Sequence, residues 1–199
     1  MNLPRIRRRL ADRITSPIVG TLGRMGMTPN SLTFINLGLN LVAAYVIATG
    51  HFLIGGVLVL VSGLCDILDG ALARLTGRST KFGAILDSTV DRIAEAAVLC
   101  GLLIWYMQDG PQGNRLEIVL VFLVLVGSFL VSYVKARAEG VGWQCQVGLF
   151  TRAERVIVLA LGLILNQVFI VLCVLSVFVL FTVVQRMVHL WKQAQTGGD

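Results

Sequence analysis

Charge is scarce in this chain. Only 14% of its 199 residues are Asp, Glu, Lys or Arg, whereas a soluble globular domain carries about 25%. With 56% hydrophobic residues and a mean hydropathy of +0.81, that shortage excludes an ordinary soluble domain and points to a single membrane domain. Metal-ligand cysteine spacing is also missing. Of Cys65, Cys100, Cys145 and Cys173, the nearest two stand 28 residues apart, so the four read as free, small apolar residues rather than as a zinc site or a disulfide. The two histidines, His51 and His189, fall at predicted helix ends and read as interfacial rather than catalytic. No cleavable leader is visible, because the basic N-terminal residues are not followed by a compact apolar run and a small-residue cleavage site. Internal repeats and low-complexity segments are absent as well.

What is present is a set of long apolar runs edged by basic residues. Lys and Arg number 17 against 11 Asp and Glu, a net charge of +6. The cations flank apolar spans instead of forming a soluble patch, so anionic lipid is the expected partner and nucleic acid is not. About 20 apolar residues cross the ~30 Å hydrocarbon layer as a helix. Spans are predicted near 31–50, 52–73, 84–107, 116–138, 152–167 and 168–190, the last two separated by a tight turn at Asn166 and Gln167. Before them, Ile6, Leu10, Ile14, Ile18 and Leu22 recur every four positions among Arg7, Arg8, Arg9 and Arg13, the pattern of a helix lying in the membrane interface. The expected fold is thus an all-α integral membrane protein. An interfacial amphipathic helix and a turn (1–30) precede six transmembrane helices (31–190) and a short tail (191–199). With the N-terminus inside, 15 of the 17 basic residues fall in inner segments, leaving Arg115 outside and Arg92 in a span. The positive-inside rule then puts both termini on the cytoplasmic side of the cell membrane.

The acids are the chemical signal. Asp66, Asp69, Asp87 and Asp91 all fall within predicted spans, where a carboxylate is costly without a partner. Asp66 and Asp69 are spaced i, i+3, and Asp87 and Asp91 i, i+4, so each pair shares a helix face. A short connection, 74–83, predicts that the two helices are antiparallel neighbours, with the four carboxylates converging near the inner surface. Such a cluster needs cations. Hard divalent ions bound by oxygen, with a substrate diphosphate completing the shell, meet that need better than ion pairs with Arg74, Arg78 and Arg92. Gly70, Ala73 and Gly83 permit close backbone approach to a ligand, and Arg74 and Arg78 can meet phosphate oxygens. Thr28-Pro29-Asn30 reads as a turn, followed by Ser31 as a helix cap.

The pattern Asp66-x-x-Asp69-Gly70-x-x-Ala73-Arg74, eight residues, then Gly83-x-x-x-Asp87-x-x-x-Asp91 resembles the signature of the CDP-alcohol phosphotransferases at every fixed position. The resemblance implies a homodimer and two metal ions, Mg²⁺ with Mn²⁺ as a substitute. The first would be held by Asp66, Asp69 and Asp87, the second by Asp66, Asp87 and Asp91, with Asp91 as the base that deprotonates the acceptor hydroxyl. It also implies that Pro29, Asn30, Ser31, Leu32, Gly70, Arg74 and Thr80 contact the lipid donor, CDP-diacylglycerol.

A second basic group, Lys135, Arg137, Arg152 and Arg155, lies at the inner ends of the fourth and fifth spans, where a phosphorylated acceptor would need cations. Ser88 and Arg92 beside the acids, and the run Ser132 to Glu139, resemble the inositol-phosphate-using branch of the family, the phosphatidylinositol-phosphate synthases. In that branch Arg152-Ala153-Glu154-Arg155 corresponds to Arg-Pro-Glu-Arg, so Ala153 is a departure. The branch implies an acceptor phosphate held by Ser132, Lys135, Arg137, Arg155 and Arg152, with Arg186 a candidate for a further arginine. Three rival readings are a phosphatidylglycerol-phosphate synthase with the same machinery, an ion-coupled transporter, and a non-catalytic lipid-binding membrane protein, the last disfavoured by an intact Asp91. A transporter carries its acids near the midplane of broken, repeated helices.

Overall fold

A computed structural model describes residues 27–75, 80–108 and 114–197, without the side chains of 67, 69, 70 and 73–75. The predicted interfacial helix and Arg78 lie outside those residues. The described residues form six α-helices and no strand: α1 (Pro29–Ala48), α2 (Phe52–Leu75), α3 (Lys81–Met107), α4 (Arg115–Gly140), α5 (Arg152–Ile164) and α6 (Val168–Gln195). Among them, α1, α4 and α6 are long and apolar enough to cross a membrane. α2 begins with an apolar stretch, Phe52–Asp66, and continues into the acidic motif. α5, with 13 residues, is about 20 Å long, short of a full crossing.

Local chemistry sets the helix ends. Pro29 opens α1, where its missing N–H costs nothing. The cap is Thr28, whose Oγ1 accepts from Ser31 N at 3.2 Å, and Ser31 sits in the first turn. This corrects the expectation of a Ser31 cap: a proline is favoured just inside a helix, so the residue before it takes the cap position. Thr80 caps α3 in the same way, accepting from Gly83 N at 2.9 Å. The predicted turn at Asn166 and Gln167 is present. Asn166 adopts a left-handed φ of 55°, a conformation asparagine tolerates, and Gln167 N donates back to Gly162 O at 2.8 Å.

The packing order of the helices is a closed ring: α1 against α2, α2 against α5, α5 against α6, α6 against α4, α4 against α3, and α3 against α1. This corrects the expectation that α2 and α3 are direct neighbours. Between them α1 packs on both, and α2 and α3 make no comparable contact with each other among the described residues. Small residues allow it. A Cβ added to Gly101 of α3 would lie 2.4 Å from the Ala44 carbonyl oxygen of α1, so glycine lets the two backbones touch. Gly56 does the same for α2 against α5, where a Cβ would meet the Ala160 carbonyl oxygen at 2.8 Å.

Ile47, Leu99, Leu102, Leu163 and Leu172 fill the ring's apolar centre. A polar knot sits within it: Asn40 Nδ2 donates to Asn36 O at 2.9 Å and to Ser62, and Ser62 Oγ donates to Asn36 Oδ1. All three side chains are buried, and pairing them with one another removes the cost of burying amides and a hydroxyl in an apolar core. Leu32 packs on Ala71 and Leu72 in a smaller cluster that pins the start of α1 to the end of α2.

Candidate active site

The helical spacing of the acids determines what they can reach. Asp87 and Asp91 project from one stripe of α3, and Asp66 faces them from α2. Carboxylate oxygens of Asp66, Asp87 and Asp91 all lie within 4.8 Å of one another, although α2 and α3 make few backbone contacts among the described residues. The side chains of Asp69, Gly70 and Arg74 lie outside the described residues, as does the part predicted for them.

Three carboxylates this close repel unless cations enter the group. One cation is supplied by α5: Arg152 Nη1 lies 2.8 Å from Asp66 Oδ2 and 2.7 Å from Asp91 Oδ2. The local Arg92 pairs instead with Glu95, at 3.4 Å. Asp87 Oδ1 is buried and has no hydrogen-bond partner among the described residues. A buried carboxylate oxygen without a partner is costly. The donor set is all oxygen, convergent and anionic, which suits a hard divalent cation such as Mg²⁺ or Mn²⁺. The residues present therefore fit such an ion.

The start of α1 lies beside the start of α3. A Cβ on Gly83 would stand 3.0 Å from Thr80 Oγ1 and 3.5 Å from Asn30 Oδ1, so the predicted donor contacts Asn30 and Thr80 are near neighbours. Asn30 and Ser31 are exposed, and Ser31 Oγ lies 2.7 Å from Thr28 Oγ1. The Leu32 side chain is core, 6% exposed, which leaves it only its backbone to offer a ligand.

Two cavities meet at Asp66, Arg152 and Arg155. The larger, about 780 Å³, is bordered by Asp66, Arg92, Lys135, Arg152, Arg155 and Arg186, with Ser88 and Ser132 on its wall. The smaller, about 390 Å³, runs into the apolar centre past Val59, Val98 and Leu159, with Asp66, Glu95, Arg152 and Arg155 at its polar end. Of the predicted acceptor residues, Ser132, Lys135, Arg152 and Arg155 thus border one space. Arg137 does not join them; it is exposed and absent from either wall. Ser132 and Lys135 are i, i+3 and share a face, whereas Arg137 stands one turn beyond Tyr133, itself an exposed residue at the cavity's edge.

Each cation on this side has a protein partner. Lys135 pairs loosely with Glu139 at 3.7 Å, and both are half-exposed. Arg155 is buried and donates to Glu95 through Nε at 2.7 Å and Nη2 at 2.9 Å. Arg186 is also buried and acts as a strut. Its Nε donates to Val147 O at 2.9 Å and its Nη1 to Val131 O. With Thr182 and Gln185 accepting from Phe150 N and Leu149 N, it ties the α4–α5 connection to α6 and so sets where α5, with Arg152 and Arg155, begins. Sequence reasoning did not assign Glu95 a place in the site. The available signal was its spacing, since Glu95 continues the i, i+4 stripe of Asp87 and Asp91.

A sequence profile described as CDP-alcohol phosphatidyltransferase matches residues 26–192, and the chain belongs to that family of enzymes. Within it, the chain is 40% identical over 183 residues to the phosphatidylinositol phosphate synthase of Mycobacteroides abscessus, covering 88% of this chain and 82% of that one. It is 35% identical over 178 residues to the archaetidylinositol phosphate synthase of Pyrococcus horikoshii, covering 89% and 90%. The fold matches two crystal structures of Mycobacterium tuberculosis phosphatidylinositol phosphate synthase. One has CDP-DAG bound (TM-score 0.81, 35% identity, 90% and 94% coverage). The other is in complex with manganese and citrate (TM-score 0.81, 34% identity, 89% and 88% coverage).

Proposed function

We propose that this chain transfers the phosphatidyl group of CDP-diacylglycerol to a hydroxyl of inositol phosphate and releases CMP. The observation that carries the acceptor is the larger cavity: Asp66 of the carboxylate cluster shares its wall with Lys135, Arg152, Arg155 and Arg186. Cations beside a metal-binding acid suit a phosphorylated alcohol that must bring a hydroxyl to the metal site. The synthases to which the chain is similar carry inositol phosphate in their names.

Asp66, Asp69 and Asp87 would hold one divalent ion and Asp66, Asp87 and Asp91 the second, with Mg²⁺ the expected metal. Divalent ions held by these carboxylates would supply positive charge against the negative charge that develops on the donor's diphosphate. Asn30, Ser31, Gly70, Arg74 and Thr80 orient the cytidine diphosphate, with Pro29 and Leu32 shaping the turn and first helix that carry them. Lys135 and Arg155, with Ser132, Arg152 and Arg186, hold the acceptor phosphate. Asp91 accepts the proton of the acceptor hydroxyl. That oxygen forms a bond to the lipid-side phosphorus as the bond from phosphorus to the bridging oxygen breaks, and CMP departs with that oxygen.

The wider architecture follows the same reading. All six helices cross the bilayer. Both termini and the active site are cytoplasmic, and the chain works as a homodimer. An active site at the surface lets the lipid donor enter sideways and the soluble acceptor from the cytoplasm.

The test is CMP release from CDP-diacylglycerol by purified protein with Mg²⁺ and a panel of acceptors: inositol phosphate, glycerol 3-phosphate and free inositol. Inositol phosphate should give the highest kcat/KM. A higher value for glycerol 3-phosphate would keep the family chemistry and sink the inositol assignment in favour of a phosphatidylglycerol-phosphate synthase. Absence of CMP with every acceptor, together with ion-coupled uptake into vesicles, would favour the transporter.

A further inference from the structure

Glu95 lies on the α3 stripe of Asp87 and Asp91, one helical turn beyond Asp91, yet it is not part of the carboxylate cluster. Its two oxygens are taken by the guanidinium of Arg155 from α5, Nε to Oε1 at 2.7 Å and Nη2 to Oε2 at 2.9 Å. This is the two-bond fork that fixes both the position and the plane of an arginine. Arg92 of its own helix adds an ion pair to Oε2 at 3.4 Å, and Arg155 Nη1 makes a longer bond to Phe150 O at 3.4 Å. The Arg155 and Glu95 side chains are 3% and 7% exposed.

The members of this group face different spaces. Arg155 borders both cavities, Arg92 only the larger polar one, and Glu95 only the smaller apolar one. Seen from the polar cavity, the carboxylate stands behind the guanidiniums. Stability alone is a weak reason for such an arrangement, because well-packed apolar residues often replace a buried ion pair without loss. Orientation is a better one. A guanidinium has five N–H donors, and the three bonds above leave Arg155 two for a ligand.

We infer that Glu95 is a positioning residue of the acceptor site: it clamps Arg155 from α5 and Arg92 from α3 so that their remaining N–H groups meet the acceptor phosphate. The inference rests on the acceptor reading given above. Glu95 itself touches no substrate and acts through Arg155.

The experiment compares full-length wild type, Glu95→Gln, Arg155→Gln and the double variant, titrating inositol phosphate and CDP-diacylglycerol separately and recording thermal unfolding. Gln in place of Glu95 keeps the shape but turns an N–H₂ group toward the guanidinium, so the fork is lost. Glu95→Gln should raise the acceptor KM about 10-fold, the equivalent of one charge-assisted hydrogen bond, and leave the donor KM where it was. In the Arg155→Gln background the same change should add nothing further. An unchanged acceptor KM, an equal rise in donor KM, or effects that multiply in the double variant would each overturn the inference. If Glu95→Gln does not fold, Glu95→Asp carries the same comparison. It keeps the charge with one methylene less reach and should show a smaller rise confined to the acceptor. Loss of the fold in that variant too would make the pair structural and overturn the inference. A wild type that uses another phosphorylated alcohol and rejects inositol phosphate would defeat the proposed acceptor alone, and Glu95 would then be tested with that alcohol.

Discussion

The two halves of the site are built by different rules. On the metal side, Asp87 and Asp91 come from consecutive turns of α3, and Asp66 from a motif that ends a few residues before α3 begins. On the acceptor side, Lys135 comes from α4, Arg152 and Arg155 from α5 and Arg186 from α6, and the bonds that hold the three arginines span long stretches of chain. Arg155 reaches Glu95 across 60 positions and Arg152 reaches Asp66 across 86. The metal side is specified by local spacing, so substitutions there should alter chemistry and leave the helices standing. The acceptor side is specified by long-range ion pairs, so some substitutions there should cost stability as well as binding.

The largest effect should come from removing the metal. Carboxylates that converge within 4.8 Å are expected to lose all CMP release under excess EDTA and to regain it with Mg²⁺ or Mn²⁺. Undiminished turnover after chelation would break the metal half of the comparison outright. Next comes Asp91→Asn, which keeps the shape and removes the base. A rate loss of at least ~100-fold is expected, with nucleotide binding largely kept. Asp66→Asn should lower both rate and donor binding, because Asp66 is assigned to both metals and also holds Arg152. A near-normal rate for Asp91→Asn would remove it as the base.

Much of this difference was readable beforehand, and the boundary is physical. Hydrophobic runs and caps are local, so the six helices of the described residues and the Asn166 turn followed from the sequence. So did the stripes carrying Asp66, Asp87 and Asp91. The ring order did not follow, because it depends on where backbones can touch, and Gly101 against Ala44 is visible only when α1 and α3 are placed. Pairing partners were equally hidden. Nothing local says that Arg152 meets Asp66 and Asp91, or that Arg92 turns from the aspartates to Glu95. Arg137 was hidden in the same way, since spacing along α4 does not say which of its cations faces the cavity and which stays exposed.

The acceptor side gives a smaller, graded effect that separates its cations from one another. Lys135 is half-exposed and only loosely paired with Glu139, so Lys135→Ala should raise the acceptor KM about 10-fold to 100-fold without moving the melting temperature. Free inositol should be a poor acceptor for the wild type, and this variant should narrow the gap between the two acceptors. Arg155→Ala should raise the acceptor KM similarly and also destabilise the protein, by up to about 3–5 kcal/mol, because it leaves buried Glu95 with only the longer Arg92 pair. Melting curves for the two variants that coincide would mean that the acceptor side is as local as the metal side.

The smallest expected effect tests whether the two helix caps that border the donor end differ in role. Thr28 Oγ1 accepts from Ser31 N at 3.2 Å, and Thr80 Oγ1 from Gly83 N at 2.9 Å, so replacing either by alanine should cost about 1 kcal/mol of stability. Serine retains the hydroxyl and should restore both. Thr80 lies beside Asn30 and Gly83, at the place assigned to the donor's nucleotide, whereas Thr28 spends its hydroxyl on Ser31. Thr80→Ala should therefore also raise the donor KM, and Thr28→Ala should not. Measuring donor KM and thermal stability for both alanine and both serine variants separates the roles. If the two alanine variants change donor KM equally, each hydroxyl does no more than start its helix, and Thr80 leaves the list of donor contacts.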